Sequence, residues 1–457
     1  MNTSNKQGKW QFWIDRGGTF TDIIARKPDG QLQSHKLLSE NPERYQDSAA
    51  QGIRDILGIN QSTPVPMDAI ESIRMGTTVA TNALLERNGE RTLLVTTRGF
   101  KDALRIGYQN RPRLFDLEIN LPEMLYCDVM EVDERLDAKG QVIQPLDVNQ
   151  AKQDLLQYYN KGIRSVAIVL IHGYRYHHHE AELERIALEI GFHQVSVSHQ
   201  VSPLMKLVLR GETTVVDAYL SPVIQNYNQQ VKSELGDDQA GLCRLLFMQS
   251  NGGLTDAHYF KGKDAILSGP AGGVVAMARI SQHAGFNKVI GFDMGGTSTD
   301  VSHFSGEFET TFESEVAGVR LRTPMMLIHT VAAGGGSVIH FDGARFRVGP
   351  DSAGATPGPA SYRNGGPLTI TDCNVLLGKI QPDYFPKVFG PNSELPLDNA
   401  IVEKKFKRLA GEISDQTGQF WEVEDVAEGF IKIAVDNMTN AIKKISIQRG
   451  YDISDYT

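Results

Sequence analysis

Two stretches of this 457-residue chain share one eight-residue pattern. Asp15-Arg16-Gly17-Gly18-Thr19-Phe20-Thr21-Asp22 recurs as Asp293-Met294-Gly295-Gly296-Thr297-Ser298-Thr299-Asp300, with six of eight positions identical at an offset of 278 residues. Paired glycines let a turn take positive φ and aim its N–H groups inward with no Cβ in the way. A cluster of such groups is a cradle for anionic oxygens, phosphate above all. The carboxylate two residues ahead of each pair, Asp15 or Asp293, could hold a hydrated Mg2+ or orient water. Thr19, Thr21, Thr297 and Thr299 add hydroxyls. Two such turns facing each other would clamp a triphosphate; the plain alternative is that Asp-x-Gly-Gly-Thr is only a good tight turn. No Gly-x4-Gly-Lys-Ser/Thr stretch occurs, so a P-loop is not the competing reading.

Other clusters are less specific. Ser268-Gly269-Pro270-Ala271-Gly272-Gly273 precedes helical-looking Val274 to Ile280, which would point a helix N-terminus at a glycine loop. Gly334, Gly335 and Gly336 form a further backbone-exposing turn; each cluster reads equally as structural or functional. Arg74-Met75-Gly76-Thr77-Thr78-Val79-Ala80-Thr81-Asn82 concentrates hydroxyls and an amide before a helix. It could line a small polar pocket or serve as an N-cap with a Thr-rich first turn. His177-His178-His179 reads as a solvated turn, since three consecutive histidines cannot face one ion. His329, His340 and Asp342 have no diagnostic metal spacing, and no nucleophile elbow is present.

The elements that must position these residues alternate between strand and helix. Phe12-Trp13-Ile14 and Val289 to Phe292 are apolar runs ahead of the two Gly-Gly turns, and short strands follow each turn, so each copy reads as a β-hairpin. Thr92 to Thr96 and Val166 to Ile171 read as buried strands; Ala151 to Tyr159 and Glu180 to Ile190 have helical spacing, as has Thr213 to Val231. Residues 345–400, rich in Gly and Pro, read as a loop-dominated insertion. Val426, Phe430, Ile433, Ala434, Ala441, Ile442 and Ile445 mark a long amphipathic helix. The repeat suggests three regions: 1–205, a connecting α/β segment 206–285, and a second half 286–457.

Composition narrows the classes. The net charge of −9 argues against a dedicated nucleic-acid or anionic-membrane partner. Cys127, Cys243 and Cys373 are far apart and form no CxxC pair, which fits a reduced, cytoplasmic protein. No apolar stretch is long enough to span a bilayer.

Many ordered motifs resemble the hydantoinase A/5-oxoprolinase family: Ile14 to Asp22, Arg74 to Arg87, Gln249-Ser250-Asn251-Gly252-Gly253, Leu267 to Gly273, Phe292 to Asp300, Thr330 to Ser337 and Val348 to Ala360. Asp15 to Asp22, Lys36-Leu37-Leu38-Ser39-Glu40 and Leu114-Phe115-Asp116-Leu117 resemble the ATP-dependent 5-oxoprolinase branch. The resemblance implies an α/β fold of two ribonuclease H-like halves, as in the actin/hexokinase/Hsp70-like ATPases, with the second half incomplete. It implies hydrolysis of 5-oxo-L-proline to L-glutamate with ATP consumed, Mg2+ and typically K+, in glutathione turnover. Gly17, Gly18, Thr19, Gly295, Gly296 and Thr297 would hold phosphates, and Asp15 and Asp293 would serve the metal or the attacking group. Arg74, Thr77, Thr78, Asn82, Gln249 and Asn251 are the candidates for the substrate side. A hydantoinase B-like region or subunit is the expected partner, in a homo-oligomer. Family members commonly carry Asp where this chain has Leu327 and Cys where it has Ser361, which would affect a site near the glycine turn. They also continue past Thr457 into a strand and a turn at adenosine, so the chain reads as a truncated portion. The alternatives are an inactive remnant or binding module, or an N-methylhydantoinase/acetone carboxylase-type subunit.

Overall fold

A computed structural model describes residues 8–41, 43–61, 63–109, 117–118, 121–236, 244–390 and 394–457. Cys243 and Leu114-Phe115-Asp116 lie outside the described residues. Numbered in chain order, the strands used below begin with β1 (Trp10–Arg16), β2 (Phe20–Arg26), β3 (Leu32–Leu38), β4 (Ile70–Thr77), β5 (Thr92–Thr97) and β6 (Tyr126–Val132). They continue with β7 (Ser165–Val169), β8 (Gln194–Val197), β9 (Arg244–Met248), β10 (Leu254–Asp256), β11 (Lys288–Met294), β12 (Thr299–Ser305) and β13 (Ile328–Val331). The helices are α1 (Ser48–Leu57), α2 (Val79–Leu85), α3 (Val148–Asn160), α4 (His178–Ile190), α5 (Leu207–Leu235), α6 (Ser268–His283), α7 (Ile370–Leu376), α8 (Asn399–Thr417) and α9 (Val423–Ile445).

A six-stranded sheet runs in the order β10-β9-β4-β1-β2-β3. Its strands alternate, so Phe12, Ile14, Ile23, Ile73, Met75 and Phe247 turn to one face and pack on α1 and α5, whereas Trp13 and Ile24 on the other face stay partly exposed. The parallel sheet β8-β7-β5-β6 is covered on both faces, which is why β5 and β7 are buried at every residue and read as continuous apolar runs. Pro222 inside α5 cannot donate to the Ala218 carbonyl; the Ser165 hydroxyl does so instead, at 2.7 Å.

The second hairpin, β11–β12, is extended by β13. On the other edge of β11, Thr457 N–H donates to Lys288 O and Ile290 N–H donates to Thr457 O. That is the bonding pattern of a parallel neighbour, and it falls where β4 lies parallel to β1 in the first sheet. The duplication therefore extends beyond the hairpins to their flanking partners.

The structure corrects or refines some of these expectations. The glycine run at 268–273 is not a loop ahead of a helix: α6 already starts at Ser268, after Leu267 in the left-handed region (φ 57°). Pro270 is tolerated because first-turn N–H groups lack intrahelical acceptors. Residues 345–400 are largely irregular, and they also supply core: Tyr362, Ile370, Cys373, Phe389 and Leu397 pack with Phe406 of α8 and Phe430 of α9. The histidine tract also opens α4 rather than a solvated turn, with buried His179 bonded to Glu134 at 2.8 Å.

Candidate active site between two glycine hairpins

In the first hairpin Gly17 N–H donates to Phe20 O at 3.0 Å; in the second Gly295 N–H donates to Ser298 O at 2.9 Å. These bonds close the turns and leave Gly18, Thr19, Gly296 and Thr297 at the tips. The registers match: Asp15 pairs with Asp22, and Asp293 with Asp300. The tips also meet, since a Cβ added to Gly296 would lie 2.9 Å from Thr19 Oγ1. The two copies thus face each other tip to tip across a candidate cleft.

Asp15 sits at its base. Its Oδ1 would be 3.3 Å from a Cβ on Gly76 and 3.2 Å from one on Gly269, and Gly76 and Gly269 also pack on each other. Side chains at either position would occupy the space the carboxylate uses, which explains glycine at the end of β4 and in the first turn of α6. Asp15 is solvent-exposed on its outer side, while the backbone at Gly76 and Gly269 crowds its carboxylate from behind. Burial, then the Asp293 and Asp22 carboxylates, push its pKa up to about 6, against the pull of Lys36. Asp300 is raised too, by burial and then by Asp293, although Thr330 Oγ1 donates to it at 2.6 Å. Asp293 and Asp300 line a cavity of about 300 Å3 beside Pro270, Gly273 and Phe292.

The remaining candidates divide by what their atoms already do. Asn82 lies next to the first tip, its Nδ2 3.9 Å from a Cβ placed on Gly18. Arg74 shares the Asp15 face of the sheet two residues before Gly76; its guanidinium stacks 5.0 Å from the Trp13 ring centroid, and buried Nη1 has no partner. Thr21 is brought elsewhere: fully buried, its hydroxyl bonds Ser39 and Ser48 at 3.0 and 2.8 Å. Thr299 Oγ1 donates to Ala333 O at 2.5 Å. Thr77 Oγ1 accepts the Val79 N–H at the start of α2, and Thr78 bonds Arg16 O. Gln249 and Asn251 form the β9–β10 turn, where Asn251 Oδ1 accepts the Gly253 N–H.

The triple glycine also serves the fold. Gly335 and Gly336 N–H donate to Gly295 and Gly296 carbonyls at 3.0 and 2.6 Å, and Gly334 N–H donates to Ser337 Oγ. The turn props the second hairpin from behind, and Cβ atoms on Gly334 or Gly336 would reach 2.8 Å from its backbone. Thr371 carries the support onward to α7, bonding Gly335 O at 2.7 Å through N–H. Ser361, fully buried, joins the same wall through Asp372. Sequence reasoning missed these propping roles; the signal was the recurrence of glycine opposite glycine.

The donor set suits a cation-neutralised polyanion. Mutually repelling carboxylates at the base of the cleft gain from a divalent ion, and Mg2+ commonly rests on one or two carboxylates with phosphate oxygens and water completing its shell. Among the described residues no group of three or more His, Cys, Asp or Glu side chains gathers to hold a metal alone; the Asp293 carboxylate acts on Asp15, and the two would share such an ion with phosphate oxygens.

Comparison with known proteins agrees with this architecture. The hydantoinase/oxoprolinase N-terminal region matches residues 11–191, and the hydantoinase/oxoprolinase region matches 210–457. 5-Oxoprolinase 1 of Arabidopsis thaliana is 45% identical over 98% of this chain, which spans 38% of that protein's length. The caprolactamase alpha subunit of Pseudomonas jessenii is 33% identical over 98% of this chain and 64% of its own. Among solved structures, the ATP-dependent caprolactamase of that organism superposes with a TM-score of 0.75 at 30% identity, covering 98% of this chain and 64% of that one. Nucleotide-free acetone carboxylase gives 0.79 at 23% identity with the same coverages, a likeness of fold. No helix among the described residues is long and apolar enough to cross a membrane. By these matches the chain belongs to the hydantoinase/oxoprolinase family and corresponds to the N-terminal part of 5-oxoprolinases.

Proposed function

We propose that this chain forms the ATP-using part of a cyclic amide hydrolase that opens 5-oxo-L-proline to L-glutamate. The observation that carries the proposal is the pair of facing Gly-Gly-Thr tips with Asp15 and Asp293 behind them. Relatives named 5-oxoprolinase and caprolactamase support a lactam as the substrate. The repeated hairpins and their matching parallel neighbours support two actin-like halves around a nucleotide. The division at 205 and 286 belongs to the same proposal.

A lactam carbonyl is resonance-stabilised and resists water. Transfer of the γ-phosphoryl group of ATP to the lactam oxygen breaks the bond to the β-phosphate oxygen, releases ADP and leaves an activated carbon. Water then adds there, and loss of phosphate and cleavage of the C–N bond give the open amino acid. Phosphoryl transfer asks the protein chiefly for positioning and charge neutralisation. Backbone N–H groups at Gly18, Thr19, Gly296 and Thr297 would bind phosphate oxygens. Asp15 and Asp293 would hold Mg2+, which neutralises phosphate charge when bound; K+ is a further expected cation. Arg74, with an unpartnered Nη1, is the cation suited to the 5-oxoproline carboxylate, and Asn82 to a group beside the first tip. A hydantoinase B-like partner or region would complete hydrolysis, in line with the subunit naming of the caprolactamase relative.

The test is ADP release with Mg2+, with and without 5-oxo-L-proline, in the presence of the partner region. Stimulation by 5-oxoproline that disappears in Asp15→Asn supports the proposal. Release indifferent to 5-oxoproline would reject that substrate.

A further inference from the structure

A second polar pocket lies away from the cleft, on the first sheet pair. It has a volume of about 420 Å3 and shares no lining residue with the cavity at Asp293. One wall is a stripe of α5, where Asp217, Ser221, Gln225, Asn228 and Lys232 recur at helical spacing. Edge strand β8 supplies Gln194 and Ser196, and the segment after β10 supplies His258 and Lys261.

Its floor is built to receive a donor. Asp217 is 2% exposed, and its carboxylate accepts one short hydrogen bond, from Ser196 Oγ at 2.8 Å. Its other contacts are long: Ser221 Oγ at 3.3 Å and the Lys263 backbone N–H at 3.4 Å. Asn228, 6% exposed, donates through Nδ2 to Ala257 O, while its buried Oδ1 has no partner. The Lys261 and Lys263 charges already act on Asp217, but the buried Asn228 Oδ1 beside it is left without a donor, which is costly unless a ligand N–H meets it. The mouth has the opposite character, since Lys232 and Lys261 bring two ammonium groups and His258 an imidazole. A ligand that satisfies both ends carries an ammonium group inward and carboxylate outward.

We propose that this pocket binds a free α-amino acid with an acidic side chain, ammonium against Asp217 and Asn228 and carboxylates toward Lys232 and Lys261. The ligand class follows from the pocket itself. That such a molecule is also the product of the cleft rests on the function proposed above: ring opening creates the ammonium and second carboxylate that the lactam lacks. The pocket would then read product and ignore substrate. Its wall is continuous with the machinery, because Gly262 N–H bonds Ser221 Oγ at 3.0 Å and the same segment runs on into α6, whose first turn meets Asp15.

The experiment is calorimetric titration of the whole chain with L-glutamate, and with 5-oxo-L-proline and KCl as separate titrants. Saturable binding of L-glutamate is expected, weakened at least tenfold by Asp217→Asn and several-fold by Lys261→Ala, and unchanged in Asp15→Asn. Circular dichroism checks that Asp217→Asn is folded; exposed Lys261 keeps the test intact if it is not. Absence of saturable binding, an equal response to KCl alone, or binding lost in Asp15→Asn but kept in Asp217→Asn and Lys261→Ala would overturn the proposal. None of these readouts requires ATP turnover, so failure here is separable from failure of the cleft assignment.

Discussion

Asp15→Asn should make the chain more stable at neutral pH while abolishing the proposed ATP-dependent ring opening. The Asp15 pKa stands at about 6 against an ordinary 3.8, so its folded value lies above its unfolded one. The associated stability is fully present below about pH 4 and is lost as pH rises through about 6. The full shift corresponds to about 3 kcal/mol. Because the carboxylate keeps an exposed edge, solvent screening reduces the expected effect to about 1 kcal/mol. For a chain of this size that is about 1–2 °C in melting temperature. Thermal melts of both proteins from pH 4.5 to pH 8, without nucleotide or divalent cation, should diverge with rising pH, the Asn variant melting higher at pH 8. A constant difference across the range, or a less stable variant at pH 8, would refute the reasoning that burial and then the facing carboxylates raise the Asp15 pKa.

Gly269→Ala places a Cβ 3.2 Å from Asp15 Oδ1 and should lower turnover at least tenfold with a near-normal melt, measured as ADP release. Arg74→Met should raise the KM for 5-oxoproline about tenfold while changing the KM for ATP little, since loss of one charge-assisted contact costs about 1.5–3 kcal/mol; equal changes in both would move Arg74 out of the substrate site. Thr299→Val should cost about 1–3 kcal/mol in urea denaturation by leaving Ala333 O unpaired, with nucleotide affinity retained.

The sequence made the hairpins legible because each short-range signal agreed: an apolar run, a Gly-Gly tip and a strand beyond. The same holds for the amphipathic stripe of α9 and the buried strands β5 and β7. What sequence periodicity hid was long-range. Thr21 and Thr299 look like Thr19 and Thr297, but two residues further along the strand they enter the packed interior and spend their hydroxyls on Ser39, Ser48 and Ala333. Gly334 to Gly336 resemble a free anion cradle, but the second hairpin takes the Gly335 and Gly336 N–H groups and Ser337 Oγ takes that of Gly334. The first turn of α6 does not read as helix because glycine disfavours it, yet contact between Gly269 and Gly76 compensates. The core contributed by residues 345–400 has scattered apolar residues separated by Gly and Pro, with no period to reveal it. The Asp217 pocket was readable only as polar residues at helical spacing on an otherwise buried helix.

The central claim is that the two glycine hairpins close on one nucleotide. Calorimetric titration of the 457-residue chain with Mg2+ and a non-hydrolysable ATP analogue tests it most directly, with Gly296→Val as the comparison, because a side chain there would meet Thr19 across the cleft. One nucleotide per chain, weakened at least tenfold in Gly296→Val without loss of folding, is the predicted result. Absence of binding, or equal affinity in the two proteins, would contradict it.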